Sequence, residues 1–75
     1  MRMHLVKARQ AKRLSMNRLA DMIGIDLHYY YRIEVGTIKR VSFIMMCRIA
    51  SVLEIDLNKM YRFENDYLKK ETKMN

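Results

Sequence analysis

Apolar residues recur at three- and four-residue spacing along this chain, and the pattern predicts a succession of short helices. The clearest unit runs from Ser15 to Gly36. Ser15 suits an N-cap, because its hydroxyl accepts from one of the orphan N–H groups that open a helix. Leu19, Met22 and Ile23 then fall on one face, with Ala20 the small residue among them. Gly24 follows at once and suits a left-handed stop, where a residue with a Cβ would be penalised. Ile25 closes the turn onto the core. Asp26 is a second N-cap for a helix over Leu27 to Val35, whose inward residues are Tyr30 and Ile33. Leu27, His28, Tyr31 and Arg32 are left on the other side, and Gly36 ends this helix as Gly24 ends the last.

The flanks carry the same signals. A basic helix from about Arg2 to Arg13 turns Leu5 and Ala8 inward and braces the two that follow. After the loop TIKRVS, Ser42 caps a helix through about Val52, with Phe43, Met46, Ile49, Ala50 and Leu53 as its buried stripe. Asp56 caps a fifth helix carrying Leu57, Met60, Tyr61 and Phe63. The remaining NDYLKKETKMN is charged and is expected to fray after about Leu68, which makes residues 1–68 one domain and 69–75 a charged tail. Proline is absent and only two glycines occur, both at the turns already named. The expected fold is all-α, a compact bundle of about five short helices.

Two helices across a short glycine-containing turn describe a helix-turn-helix, whose second helix enters the major groove of DNA. With Leu14-Ser15, Leu19-Ala20, Ile23-Gly24-Ile25 and Ile33-Glu34-x-Gly36 in place, the stretch resembles the Cro and phage-repressor family, the xenobiotic-response-element-like group. The resemblance runs from about Leu5 to Met60 and implies a lambda-repressor-like DNA-binding domain. It also implies that Arg9 pairs with Glu34, an arrangement in which a guanidinium fork would tie the bracing helix to the end of the recognition helix. Leu27, His28 and Arg32 match the positions where the family's recognition helix touches base edges. Arg32 can bond guanine O6 and N7 bidentately, and Leu27 can pack on a thymine methyl. Two departures from the family stand out. Met16 occupies the place where many members have a glutamine that anchors a phosphate, leaving Ser15, Asn17 or Arg18 to substitute; and the outward face of the recognition helix has no Gln or Asn to read adenine.

Charge sharpens this picture. Residues 1–40 hold nine Lys or Arg against three Asp or Glu, whereas residues 41–75 hold six against five. The excess lies in the half that carries the motif, as expected of a phosphate-binding surface. Lys39 and Arg40, beside the presumed DNA face, are expected on phosphates, as are Ser15, Asn17 and Arg18. Tyr29 and Tyr31 are expected to reach sugars and phosphates through their hydroxyls. Consecutive helical positions point about 100° apart, so the three adjacent tyrosines cannot form one stacking platform for single strands.

Hydrophobic residues at 51% and charged residues at 31% fit an ordered globular domain, and 75 residues sit near the lower end of what buries an adequate core unaided. Dimerisation would supply the missing burial. Met60, Phe63, Tyr67 and Leu68 form a stripe suited to a dimer surface, unless Met60 and Phe63 simply plug the core. The lone Cys47 allows no internal disulfide and, with Ile44, Met45, Ile49 and Ala50 around it, is expected to face the core of a protein in a reducing, cytoplasmic compartment. No apolar run is long enough to cross a bilayer, and the N-terminus lacks the apolar block of a signal peptide.

The expected function is a sequence-specific regulator of transcription, bacterial or phage, that binds double-stranded DNA as a homodimer on two half-sites. An antitoxin or other protein-binding module using the same fold is the alternative. An enzyme is disfavoured: there is no phosphate-cradling glycine loop or Cys-x-x-Cys pair, and His4 and His28 lack metal-site spacing. No metal, cofactor or small-molecule ligand is expected, and the short chain argues against a separate sensor domain.

Overall fold

The structure, a computed structural model, describes residues 1–73, with side chains as far as Lys70. Five helices account for it: α1 (Met3–Ala11), α2 (Met16–Ile23), α3 (Leu27–Val35), α4 (Phe43–Leu53) and α5 (Leu57–Lys73). No strand occurs among the described residues. Each helix after the first starts on a side chain that satisfies its orphan amides. The Ser15 hydroxyl oxygen accepts from the Arg18 N–H at 3.0 Å, Asp26 from His28 and Tyr29, Ser42 from Met45 at 3.1 Å, and Asp56 from Asn58 and Lys59. Helices α2 and α3 end on Gly24 and Gly36, both left-handed at φ +85° and +94°.

The core gathers Leu5 from α1, Leu19, Ala20 and Ile23 from α2, Tyr30 and Ile33 from α3, Met46, Ile49, Ala50 and Leu53 from α4, and Met60 from α5. Helix α2 packs on α3 and α4, so the helix-turn-helix is held from behind. Several sequence expectations need correction. Met22 is 48% exposed and Phe43 is 74% exposed. Each lies at the edge of its helix's apolar stripe, where a 3.6-residue period leaves the inward boundary ambiguous. Cys47 is half-buried and lines a groove between α4 and α5 instead of entering the core. Helix α1 stops at Ala11, where the Lys12 amide bonds back to Ala8 and Arg9 and Arg13 turns left-handed at φ 57°. Helix α5 continues to Lys73, beyond the end expected near Leu68: no glycine or proline follows Gly36 to stop it, and Leu68, Lys69, Lys70 and Glu71 are good helix formers. The last two positions of the expected tail lie outside the described residues.

Met60 is 3% exposed and belongs to the core, which removes it from the dimer surface expected of the stripe. Its stripe partners separate. The Phe63 ring stacks on His4 at 5.4 Å, Tyr67 is half-buried over Arg2, and only Leu68 turns toward the α4/α5 groove.

Candidate nucleic-acid interface

Helix α3 is amphipathic in a particular way. Tyr30 and Ile33 are fully buried and Glu34 is 2% exposed, while Leu27, His28, Tyr31 and Arg32 stand in solvent. The inward side thereby fixes the helix, and among the described residues no later element covers the outward side. Asn17 and Arg18 at the start of α2 are exposed, as are Lys39 and Arg40 in the loop after α3, and the Ser15 hydroxyl is engaged as the α2 cap. Met16, by contrast, is half-buried against the core and offers nothing polar. Tyr29 also packs partly against the core, so Tyr31, 49% exposed, is the tyrosine that stands outward.

Two partly buried ion pairs brace this helix. Arg9 Nε donates to Glu34 Oε1 at 2.9 Å and its Nη2 to Oε2 at 3.4 Å, while Nη1 donates to the Leu14 carbonyl at 2.9 Å. One guanidinium thus joins α1, the turn into α2 and the end of α3. The hydrogen bond to Glu34 raises the Arg9 pKa further above its ordinary value. Tyr30 donates its hydroxyl to the same carboxylate at 3.3 Å, and burial followed by the Glu34 charge pushes its phenol well up.

The second pair has no counterpart in the sequence expectations. Arg2 is 0% exposed. Its Nε donates to both Glu64 oxygens at 2.9 and 3.1 Å, its Nη1 to the carbonyls of Ile33 at 2.6 Å and Ile38 at 2.7 Å, and its Nη2 to that of Lys39 at 2.8 Å. The Arg2 backbone N–H donates to Glu34 O at 2.7 Å, and the Tyr67 ring lies 4.7 Å from the guanidinium carbon. His4 Nε2 also approaches Glu64 Oε2, at 2.6 Å. Burial alone would raise the Glu64 carboxyl, but the hydrogen bonds from His4 and Arg2 outweigh it and hold the group below the usual range. A signal for Arg2 was present: the helical spacing that turns Leu5 inward does the same for positions three before and four after it, which are Arg2 and Arg9.

Among the described residues, no group of three or more His, Cys, Asp or Glu is placed to hold a metal ion, and no helix is long and apolar enough to cross a membrane. What the geometry offers is an exposed, partly cationic helix face flanked by basic residues of α2 and of the following loop, the kind of surface that suits phosphate contacts.

The fold and this face define a helix-turn-helix module. A helix-turn-helix family model matches residues 5–60, three quarters of the chain, so the protein belongs to that family, of the Cro/repressor type, a family of DNA-binding regulators. Neither the comparison with curated proteins nor that with solved structures gives a match.

Proposed function

We propose that this protein is a sequence-specific regulator that reads double-stranded DNA with the outward side of α3. One observation carries the reading: Leu27, His28, Tyr31 and Arg32 remain exposed on a helix whose opposite side is locked in the core. Arg32 reads guanine, Leu27 packs on a thymine methyl, and His28 donates to a base acceptor or a phosphate. Ser15, Asn17, Arg18, Tyr31, Lys39 and Arg40 hold the backbone, with Tyr29 contributing from its half-buried place.

A homodimer on two half-sites about 34–36 Å apart fits the same reading. Support for it comes from a groove between α4 and α5 of about 480 Å³, lined by Phe43, Cys47, Leu57, Tyr61 and Leu68 beside Lys39 and Arg40. Phe43, Leu57 and Tyr61 are 74%, 52% and 69% exposed, a cluster that a small domain ordinarily covers. The groove borders the loop that carries Lys39 and Arg40, so association there brings the basic loops of two copies close to one another. An origin in a phage or mobile element is what the resemblance to Cro proteins implies.

Selection of bound duplexes from a random pool tests the function. The selected consensus should then lose preference at one position with Arg32→Ala, at a cost of about 1–3 kcal/mol there, whereas Lys39→Ala should weaken all sequences alike and lower the salt slope by about one unit. Equal effects of both changes on selected and random DNA would remove the base-reading role.

A further inference from the structure

The buried Arg2 lies outside the stretch that reads DNA, yet every group it bonds belongs to the apparatus around that stretch. The last carbonyls of a helix have no intrahelical partner, and the C-terminal end of the helix dipole attracts a cation. At the end of α3, Arg2 fills both roles: its guanidinium donates to the Ile33 carbonyl and its backbone N–H to that of Glu34. It then holds the carbonyls of Ile38 and Lys39, the residues that lead into the basic loop. On its far side it is anchored to α5 through Glu64 and under the Tyr67 ring. Tyr67 in turn approaches so close to Gly36 that a Cβ there would fall on its hydroxyl. One side chain therefore fixes the angle between the recognition helix and the loop carrying Lys39 and Arg40, with α5 as its support.

We infer that Arg2, clamped by Glu64 and Tyr67, is a positioning residue for DNA docking: it sets the phosphate-contact loop against the end of the recognition helix without touching DNA itself. This rests on the DNA-binding reading above. Arg2 is fully buried and cannot reach a phosphate, so its effect must pass through the loop.

Charge arithmetic and the clamp make opposite forecasts for Glu64→Ala. Removing a negative charge should tighten binding to DNA if electrostatics alone mattered, whereas loss of the clamp should weaken it. The experiment measures the salt slope of binding to a short random-sequence duplex for wild type, Arg2→Met and Glu64→Ala, each at a temperature where circular dichroism shows the fold intact. Amide exchange at Ile38, whose N–H bonds Arg32 O at 3.2 Å, is followed without DNA. The clamp predicts faster Ile38 exchange in both variants and a slope reduced by about two units, one for each of Lys39 and Arg40. It also predicts that Lys39→Ala, added to Arg2→Met, costs far less than in wild type. A role confined to stability would lower the melting temperature and leave the slope of the folded variants unchanged. Wild-type slope and wild-type Ile38 exchange in Glu64→Ala would overturn the inference. Should Arg2→Met not fold, Glu64→Gln carries the same test with a milder change. If wild type itself fails to bind the duplex, the DNA-binding reading falls, and the exchange measurement still decides whether the clamp holds the loop.

Discussion

Truncating Arg9 to alanine is the most direct test of how this small domain is held together. Glu34 is 2% exposed, and its carboxylate is met by Arg9 Nε at 2.9 Å, Arg9 Nη2 at 3.4 Å and the Tyr30 hydroxyl at 3.3 Å. Among the described residues, Arg9→Ala leaves the Glu34 carboxylate with the long bond from Tyr30 and releases the Leu14 carbonyl as well. Breaking one partner of a buried pair costs about 3–5 kcal/mol, mostly because the other charge stays desolvated. A chain of this size has a total stability of about 4–11 kcal/mol, so the loss is a large share of it. At about 4–8 °C per kcal/mol the melting temperature should fall by at least about 12 °C, and urea denaturation should show the midpoint moving with little change in slope. Replacing both partners together, Arg9→Met with Glu34→Leu, removes the buried charge and should cost less than Arg9→Ala alone. A loss under about 0.5 kcal/mol for the single change, or a double variant worse than the single by the full value of a second truncation, would refute the assignment of a desolvated pair.

Glu64, held below the usual carboxylate range by His4 and Arg2 against the opposing effect of burial, contributes stability that is complete above its unfolded pKa of about 4.3 and drains away as the pH falls through its lower folded value. Glu64→Gln should therefore lose stability near neutrality and show a shallower decline as the pH falls below about 5 in urea titrations; parallel curves would contradict this. Gly24 and Gly36 are both left-handed, but nothing lies within 4 Å of a Cβ at Gly24, whereas one at Gly36 meets Tyr67. Gly24→Ala should cost about 1–2 kcal/mol of backbone strain, and Gly36→Ala should cost measurably more, with Tyr67→Ala relieving the excess. Tyr61→Asp in the α4/α5 groove should shift a dimer toward monomer in sedimentation equilibrium while leaving the helical content intact; an unchanged association constant would place the dimer surface elsewhere.

Much of the architecture could be read from local chemistry. Ser15, Asp26, Ser42 and Asp56 each sit immediately before an apolar-periodic run, and Gly24 and Gly36 supply stops, so starts and stops are set by residues within three positions of the event. The inward side of α3 was legible for the same reason, since Tyr30 and Ile33 are three apart. What local reading missed depends on which neighbour an edge position meets. Phe43 and Met60 are equally apolar, and both fall on helical stripes. Only the crossing of α4 and α5 decides that Met60 is enclosed while Phe43 is left at the rim of a groove. The groove lining on α5 is Leu57, Met60, Tyr61, Glu64 and Leu68, so of the expected stripe Met60, Phe63, Tyr67 and Leu68 only Met60 and Leu68 face it, while Phe63 and Tyr67 turn toward His4 and Arg2. Arg2 was harder still. Its acceptors are three carbonyls and a carboxylate lying 31 to 62 residues away, and no composition signal marks a backbone carbonyl as a ligand.

That distinction changes what the net charge means. Nine basic residues in the first 40 suggest a surface dense in phosphate ligands, but Arg2, Arg9 and Lys12 are committed to Glu64, Glu34 and Glu54. Two of these pairs are partly buried, and their cations bond the protein's own carbonyls besides. They tie the end of α3, the loop that follows it and the turn before α2 to the rest of the fold. Six of the nine remain exposed: Lys7 and Arg13 on or just after α1, and Arg18, Arg32, Lys39 and Arg40 on or beside the helix-turn-helix, the four that the proposed reading sets toward a duplex. On the proposed reading a basic amino-terminal half serves two separate ends: arginines that turn inward fix the geometry of the helix-turn-helix, and cations that turn outward meet phosphate. Composition counts both alike; only the partners of each guanidinium tell them apart.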